Sequence, residues 1–319
     1  MKVFVTGGSG FVGGHVIEAL APHHEVLALA RSEASAAKVE ALGATAVRGA
    51  LEDVTAEMLA GVDAVVHGAA YVEDWGPEAI YWTTNVEGTQ RLLDAAQQAG
   101  TARFVQVSTN AAVHDRQGQL GIDESAPYPA HRGFPYGATK AEAERRVLAA
   151  DRQGFTTIAV RPCFVWGPRD NSVLPTLRRI SEAGTFAWID GGQALVSTTH
   201  VHNLVAAIER ALSHGNGGQA YFVADDDDLS MRDFVSGLAE ADGFQLKGPT
   251  LPSWLLRGVA GVAEGAWRLA GAQSPPPVTR MSVDLMACDM TVRSDRARDE
   301  LGWTPVVSRS EGLQGMARA

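Results

Sequence analysis

The sequence predicts an α/β fold in which helices cover both faces of a parallel sheet. Short apolar runs alternate with longer segments of helical periodicity, an order typical of parallel strands joined by helices. Glycine is abundant, with 34 among 319 residues, and five of these glycines cluster directly after the first apolar run. The predicted strands are Lys2–Thr6, Glu25–Ala30, Thr45–Arg48, Ala64–His67, Phe104–Val107, Thr157–Val160 and Tyr221–Val223, and the helices between them include Gly13–Leu20, Thr89–Gln98 and Ala138–Ala149.

Composition excludes several classes of protein. With 45% hydrophobic and 20% charged residues the chain can bury a core, which excludes global disorder. A formal charge of −10 argues against a general affinity for nucleic acid. Cys163 and Cys288 are the only cysteines, and the first residues read as a strand without a signal-peptide pattern. We therefore expect a protein of the reducing cytoplasm.

The first strand runs into a glycine-rich turn that opens a helix. Residues 6–13 read TGGSGFVG, which satisfies both G-x-G-x-x-G and G-x-x-G-x-x-G. Such glycines allow a tight turn and let the backbone approach a pyrophosphate at the helix N-terminus. The turn therefore predicts a Rossmann-type, doubly wound sheet that binds a dinucleotide. The backbone of Gly7, Gly10, Phe11, Val12 and Gly13 is expected to hold the phosphates.

The end of the second strand favours NADP(H) over NAD(H). An NAD site usually has an acidic residue there for the ribose hydroxyls, whereas this chain has Ala30. Arg31 and Ser32 follow, and Lys38, one of only four lysines, is expected in the first turns of the next helix. Basic and hydroxyl side chains at this place suit a 2′-phosphate.

A catalytic pair is predicted on one helix face. Tyr136 and Lys140 are separated by one helical turn, and a lysine ammonium beside a phenol favours the phenolate and lowers the phenol pKa. A hydroxyl at the end of the strand Phe104–Val107 should polarise the substrate oxygen. Ser108 and Thr109 are the candidates at that position.

With these motifs the chain resembles the extended short-chain dehydrogenases/reductases, especially members like the 3β-hydroxysteroid dehydrogenases and dihydroflavonol reductases. The resemblance covers nearly the whole chain, and it includes residues 67–70, 85–89, 161–168 and 296–305. It implies that Tyr136 and Lys140 are catalytic, that Arg31 and Lys38 bind the 2′-phosphate, and that the chain forms a homodimer through its helices 89–98 and 138–149. Further cofactor contacts that it implies are Leu51, Ala69, Ala70, Pro162, Phe164 and Val165.

Two positions depart from the family pattern. Residues 49–51 read GAL instead of Gly-Asp-Leu, so the acidic contact to adenine is absent or has moved to Asp53. The catalytic hydroxyl falls on Asn110 or on Thr109, depending on the alignment. We prefer Thr109 because a hydroxyl can donate while it relays a proton, and Ser108 and Asn110 stay open. The Thr-Asp-Glu site of sugar dehydratases is missing, which argues against dehydration.

The favoured function is an NADP(H)-dependent oxidoreductase that interconverts a hydrophobic ketone and a secondary alcohol. A sugar-nucleotide epimerase and a non-catalytic NADP-sensing protein are the alternatives. We expect a nucleotide-binding domain of residues 1–165 and 193–224, and a smaller substrate-binding region of residues 166–192 and 225–319. The run Asp225–Asp228 is interpreted as a solvated turn, and no metal site is expected at His200 and His202.

The segment 253–271 is predicted to form an amphipathic helix. Its apolar residues, including Leu255, Val259 and Val262, recur at helical spacing, and Glu264 and Arg268 are placed to pair on another face. We expect this helix to pack on its own protein or line the substrate entrance. Peripheral contact with a membrane surface is the alternative.

Overall fold

The computed structural model describes residues 1–129, 134–171, 173–272 and 274–316. The strands are β1 Lys2–Thr6, β2 Glu25–Ala30, β3 Thr45–Arg48, β4 Ala64–His67, β5 Arg103–Val107, β6 Gln119–Ile122, β7 Thr156–Pro162, β8 Val165–Trp166, β9 Trp188–Ile189, β10 Leu195–Val196, β11 Thr199–His200, β12 Gln219–Val223, β13 Leu229–Ser230, β14 Thr250–Leu251 and β15 Met290–Val292. The α-helices are α1 Phe11–Leu20, α2 Glu33–Ala41, α3 Glu78–Tyr81, α4 Gly88–Gln98, α5 Pro135–Ala149, α6 Val173–Glu182, α7 Val201–Ala211, α8 Met231–Ala241, α9 Ser253–Leu269, α10 Arg280–Ala287, α11 Asp295–Leu301 and α12 Arg309–Met316.

The main sheet has seven parallel strands in the order β12-β7-β5-β4-β1-β2-β3. The chain moves outward from β1 through β3 and then returns to place β4 on the other side of β1. This reversal opens a crevice at the carboxyl ends of β1 and β4, where open α/β sheets bind their ligands. The predicted fold class and all seven predicted strands are confirmed.

Apolar side chains point to both faces of the main sheet. On β1, Val3 and Val5 join a core that includes Ile17 of α1. Phe4 points to the opposite face and joins a core that includes Leu92 of α4. Because successive side chains of a strand alternate between faces, one apolar run supplies both cores, and helices cover each of them.

A smaller, four-stranded sheet has the order β13-β10-β15-β6. It combines β6 and β10, which lie in the stretches assigned to the nucleotide-binding domain, with β13 and β15 of the predicted substrate region. Backbone pairing therefore ties the two predicted units together. The boundaries 1–165, 193–224, 166–192 and 225–319 stay a prediction.

The acidic run after β12 is not simply a solvated turn, which corrects the sequence interpretation. The Asp225 side chain is buried, and its carboxylate accepts hydrogen bonds from Trp166 Nε1, the Thr198 hydroxyl, the His200 backbone N–H and Asn203 Nδ2 at 2.7–2.8 Å. Four donors offset the cost of burying one carboxylate. This residue therefore fastens β8, β11 and α7 to the end of β12.

The α9 helix forms as predicted, but its apolar face points outward. Val262 is 76% and Leu269 is 93% exposed, whereas Glu264 is buried. Glu264 pairs with Arg280 of α10 at 2.7 Å, so its predicted pairing with Arg268 is wrong. The helix packs through its charged side because α10 supplies a partner for the buried carboxylate. Within the ranges that the structure describes, no helix is long and apolar enough to cross a bilayer.

Candidate active site

The turn between β1 and α1 presents backbone N–H groups at the crevice. Gly7 has a φ of +75°, which favours glycine, and its carbonyl accepts the Gly10 N–H at 3.0 Å. A Cβ at Gly13 would lie 2.2 Å from the Gly7 oxygen, so a larger residue would not fit. Because Gly10 at the N-cap has no side chain, the N–H groups of Phe11, Val12 and Gly13 are left for a bound anion. This cradle fits the pyrophosphate of a dinucleotide.

Two arginines lie at the carboxyl ends of the neighbouring strands β2 and β3. Arg31 follows β2 directly and is exposed. The strand register pairs Ala30 with Arg48, the last residue of β3, and Arg48 forms an ion pair with Glu33. Ser32 caps α2 by accepting the backbone N–H three residues later at 3.2 Å. Sequence reasoning missed Arg48, although its place at the end of an adjacent predicted strand is a usable signal.

The other residues predicted near the adenosine end lie as follows. Lys38 is in the last turn of the nine-residue α2, about 9 Å along the helix axis from Ser32 at 1.5 Å per residue. Leu51 is buried, and a Cβ at Gly88 would approach its side chain to 2.4 Å. Asp53 accepts the Ala50 N–H at 2.8 Å. The helix thus separates Lys38 from the end of β2, and the Asp53 carboxylate already has a backbone partner.

Tyr136 and Lys140 lie in the first two turns of α5, as the sequence predicts. The Lys140 side chain is buried, and its Nζ donates to the Val107 carbonyl at the end of β5 at 2.7 Å. Burial lowers the pKa of Lys140 to about 8. Burial raises the pKa of the Tyr136 phenol, and a hydrogen bond with the Thr109 side chain acts in the opposite direction.

The three residues after β5 have different surroundings. Thr109 caps the short 3₁₀ turn 110–112 by accepting the Ala111 N–H at 3.2 Å, and its hydroxyl lies 3.4 Å from the Asn110 amide oxygen. The Ser108 hydroxyl is buried and has no hydrogen-bond partner among the described residues. Of the hydroxyls left open by the sequence, Thr109 is the one that interacts with Tyr136.

A chain of buried hydrogen bonds joins the carboxyl end of β1 to α4. The Ala69 N–H donates to the Thr6 hydroxyl at 3.2 Å, and this hydroxyl lies 2.7 Å from His67 Nδ1. His67 Nε2 lies 2.8 Å from the Thr89 hydroxyl, which donates to the Asn85 carbonyl. Full burial lowers the pKa of His67 to about 3, so the ring is neutral. Its proton lies on Nε2, because the Thr89 hydroxyl donates its own hydrogen to Asn85 and accepts from the ring. This chain fixes the backbone of the predicted cofactor residue Ala69.

A buried ion pair lies behind Lys140. Glu144, one turn further along α5, accepts a bifurcated hydrogen bond from Arg161 Nε and a second bond from Nη2 at 2.6–3.1 Å. The Tyr128 hydroxyl donates to the same carboxylate at 2.7 Å. The negative charge of Glu144 raises the pKa of Lys140 against the larger effect of burial. Glu144 therefore helps to keep a cationic Lys140 in the interior.

The segment that follows β7 also lies at the crevice. Pro162 ends β7, the Phe164 carbonyl accepts the Thr199 N–H at 3.2 Å, and Val165 begins β8. Ala70 follows Ala69 beyond the end of β4, in the middle of the sheet. These residues lie at the carboxyl edge of the main sheet, where the sequence motifs predict that the cofactor binds.

A cavity of about 790 Å³ opens beside Tyr136. Its wall includes the first turns of α5, the loop after the 3₁₀ turn and α10. Lining residues include His114, Arg116, Phe134, Tyr136, Met281, Asp284 and Leu285. Sequence reasoning did not identify the charged part of this wall, because its members lie far apart in the chain and belong to no local motif.

His200 caps α7 by accepting the His202 N–H at 3.3 Å. Across the described ranges, no group of three histidine, cysteine or acidic residues is arranged to hold a metal ion. The His200-x-His202 spacing is thus explained by helix capping.

The glycine cradle and the pair of Tyr136 and buried Lys140 on one helix are typical of a nicotinamide-dependent enzyme on a Rossmann-type fold. A family model described as the NAD dependent epimerase/dehydratase family matches residues 3–224. The chain belongs to this family, the extended short-chain dehydrogenases/reductases, and is an oxidoreductase that uses a nicotinamide cofactor.

Similar proteins include a ketoreductase, a hydroxysteroid dehydrogenase and a sugar-nucleotide dehydratase. The chain is 39% identical over 322 residues to a "4-hydroxy-2-methyl-3-oxo-4-farnesyl-3,4-dihydroquinoline-1-oxide ketoreductase" of Stigmatella aurantiaca, covering 100% of this chain and 96% of the relative. It is 32% identical to a "3beta-hydroxysteroid-dehydrogenase/decarboxylase isoform 1" of Arabidopsis thaliana, covering 97% and 77%. A solved dTDP-glucose 4,6-dehydratase of Streptomyces venezuelae with bound NAD is 26% identical, with a TM-score of 0.77 over 100% of this chain and 96% of that chain.

Proposed function

We propose that this protein is an NADP(H)-dependent oxidoreductase that interconverts a hydrophobic ketone and its secondary alcohol. The observation that carries the proposal is that Tyr136, one helical turn from the buried Lys140, lines a cavity whose wall includes Phe134, Met281 and Leu285. The names of the Stigmatella and Arabidopsis relatives, a ketoreductase and a hydroxysteroid dehydrogenase, support an apolar ketone or alcohol as substrate. They favour this reaction over sugar-nucleotide epimerisation.

Each residue of the site has a defined task in the proposed reaction. A bound nicotinamide supplies hydride in reduction and accepts it in oxidation. The Tyr136 phenol gives a proton to the carbonyl oxygen during reduction and takes it back during oxidation. The Thr109 hydroxyl donates a hydrogen bond to the same oxygen. The Lys140 ammonium, one helical turn from Tyr136, favours the phenolate when it forms, and the hydrogen bond with Thr109 opposes the rise in the Tyr136 pKa that burial causes.

The preference for NADP(H) rests on charge at the ends of β2 and β3. Ala30 offers no acceptor for the ribose hydroxyls, whereas Arg31 and Arg48 offer guanidinium groups for a 2′-phosphate. The family description and the Streptomyces structure name NAD. The preference for NADP(H) is therefore inferred from Ala30, Arg31 and Arg48 of this chain and not from its relatives.

Replacing Tyr136 with Phe tests the function. In a screen of steroid, aryl and β-keto carbonyl compounds with NADPH, followed by nicotinamide absorbance, we expect Tyr136→Phe to lower kcat by about 10²- to 10⁴-fold. NADPH affinity should stay nearly unchanged. Tyr221→Phe is the control, since this buried hydroxyl donates to Glu300 at 2.6 Å and does not line the cavity. Unchanged turnover of the Tyr136 variant would rule out the proposed role.

Two interactions with larger partners are also proposed. The homodimer implied by the family resemblance would use α4 and α5, and light scattering in solution tests it. The exposed apolar face of α9, with Trp254 at 72% and Val262 at 76% exposure, supports peripheral contact with a lipid surface. Co-sedimentation with neutral phosphatidylcholine vesicles should fall when Val262 is replaced by Glu, and equal binding by both proteins would reject this contact.

A further inference from the structure

The loop 167–171, which joins β8 to α6, is hydrogen-bonded to the helix α1. His15 of α1 is 6% exposed. Its Nε2 lies 2.9 Å from the Pro168 carbonyl oxygen, and its Nδ1 lies 2.9 Å from Arg169 Nη2. Both ring nitrogens of one buried histidine therefore bind two successive residues of a loop that is distant in the chain.

The chemistry of these two partners fixes the protonation of His15. A backbone carbonyl can only accept a hydrogen bond, and a guanidinium can only donate one. His15 therefore donates from Nε2 to Pro168 and accepts at Nδ1 from Arg169, which requires a neutral ring. Burial lowers the pKa of His15 and outweighs the Pro168 carbonyl, which raises it, and the charge of Arg169 lowers it further. The neutral form is thus the form that holds the loop.

The charge of Arg169 is balanced by a second residue of α1. Glu18 accepts from Arg169 Nη1 at 3.0 Å, and its other carboxylate oxygen accepts from Nη2. His202 of α7 lies edge-on to His15, with ring centroids 5.1 Å apart, and burial lowers its pKa. The Phe11 ring lies edge-on as well, at 5.7 Å. The guanidinium thus has a carboxylate partner and does not require a charged His15.

The backbone of the loop needs support from outside. Arg169 has a φ of +65°, a conformation that residues with a side chain rarely adopt. The turn is closed by the Asp170 N–H, which donates to the Gly167 carbonyl at 3.2 Å. Because such a conformation costs free energy, it persists only where the surroundings favour it. The bonds to His15 and Glu18 supply such surroundings.

These bonds connect two surfaces that a dinucleotide is expected to contact. His15 lies one helical turn after Phe11, whose N–H belongs to the glycine cradle. The loop follows β8, which begins at Val165 and pairs with β11. A ligand that spans both surfaces binds more tightly when their separation is fixed beforehand, because less free energy is lost in ordering the protein.

We propose that His15 is a positioning residue for the nicotinamide cofactor, which holds the loop 167–171 against α1 and keeps β8 and the glycine cradle at a fixed separation. The inference rests on the proposed function, because it takes residues 162–165 as contacts of the cofactor. It assigns His15 no part in proton transfer. Loss of its bonds should therefore weaken cofactor binding more than it slows hydride transfer.

Titration calorimetry with NADP⁺ and with NAD⁺ measures cofactor affinity without a substrate. His15→Leu should raise the Kd of the tighter-binding cofactor about 5- to 50-fold, because two hydrogen bonds to the loop are lost, one of them from a charged donor. His15→Gln should stay within about threefold of the wild type, since an amide can donate to Pro168 and accept from Arg169 as the neutral ring does. With a ketone from the screen, His15→Leu should raise KM for the cofactor and change kcat less than about threefold.

Arg169→Met tests the loop side of the same contact, where the side chain is exposed. It should weaken cofactor binding as well. The double variant with His15→Leu should bind better than the product of the two single effects predicts, because both changes remove one shared bond. His202→Leu is the matched control. It replaces an exposed histidine beside the same ring, and in the described part of the chain its side chain makes no hydrogen bond to the loop.

The inference is overturned if His15→Leu and Arg169→Met both bind the cofactor as the wild type does. It is also overturned if His15→Gln binds as weakly as His15→Leu, or if His202→Leu weakens binding as much. Arg169→Met decides even if His15→Leu does not fold. A protein that shows the expected changes in cofactor affinity but reduces no ketone in the screen would instead reject the proposed function.

Discussion

Gly137 of α5 lies directly against the backbone carbonyl of Ala111, so that a Cβ at position 137 would sit 2.8 Å from the carbonyl oxygen. Real Cβ atoms essentially never come this close to another heavy atom. The contact presses the 3₁₀ turn 110–112 onto the first turn of α5. Since Thr109 caps this turn and Tyr136 precedes Gly137, the close approach is what brings the two side chains together.

Gly137→Ala should therefore damage catalysis more than folding. Moving α5 away from the turn by even a few tenths of an ångström misplaces Tyr136 against Thr109, and we expect kcat/KM to fall about 10- to 100-fold. Gly258→Ala is the control, because this α9 glycine has open space where its Cβ would go. Kinetics of both variants with one ketone check the prediction, and full activity of Gly137→Ala would contradict it.

Sequence reasoning succeeded where neighbours in the chain decide the outcome. The apolar run Lys2–Thr6, the glycines behind it and the one-turn spacing of Tyr136 and Lys140 all act over a few residues. Their positions in the sheet and helix follow from strand alternation and helical periodicity. The fold class and the strands could therefore be predicted without a structure.

Contacts between distant segments could not be predicted in the same way. Arg116 meets Asp284 across 168 positions, and no spacing rule links them. The outward face of α9 follows from the pairing of Glu264 with Arg280, which depends on where α10 packs. Burial of Asp225 likewise requires donors from three other elements, which a run of four aspartates does not reveal.

Thr89→Val should destabilise the protein by breaking the chain of hydrogen bonds at His67. The buried Nε2–H would lose its acceptor, at a cost of about 1–3 kcal/mol, while the side-chain shape is kept. Thr89→Ser should be milder because it retains the hydroxyl. Urea unfolding measures the free energy of unfolding of each variant. Equal stability of the Val and wild-type proteins would show that this bond contributes nothing.

The stability of the cofactor-free protein should depend on Lys140 at alkaline pH. Burial lowers its pKa from 10.5 to about 8 in the folded state, whereas the unfolded chain keeps the ordinary value. Between pH 8 and pH 10.5 Lys140 is protonated in the unfolded state and neutral in the folded state. Its titration therefore increases the free energy of unfolding as the pH rises. Below pH 8 both states are protonated and the full cost of the buried charge remains.

Comparison with Lys140→Met isolates this effect, because other titrating groups are common to both proteins. The difference in the free energy of unfolding between wild type and variant should shift in favour of wild type from pH 8 to pH 10.5. Denaturant unfolding at several pH values in this window gives the two curves. Curves that stay parallel would mean that Lys140 titrates normally in the folded protein.

Arg31→Ala should reduce the preference for NADPH over NADH. Losing a guanidinium from a 2′-phosphate removes a charge-assisted hydrogen bond, so KM for NADPH should rise about 10- to 100-fold while KM for NADH changes little. Arg48→Ala should act in the same direction but more weakly, because Glu33 already neutralises Arg48. Lys38→Ala should have the smallest effect, since this lysine lies in the last turn of α2. Initial rates with NADPH and NADH measure the cofactor preference of each variant. If no variant changes this preference, then the 2′-phosphate binds elsewhere or the cofactor is NAD(H).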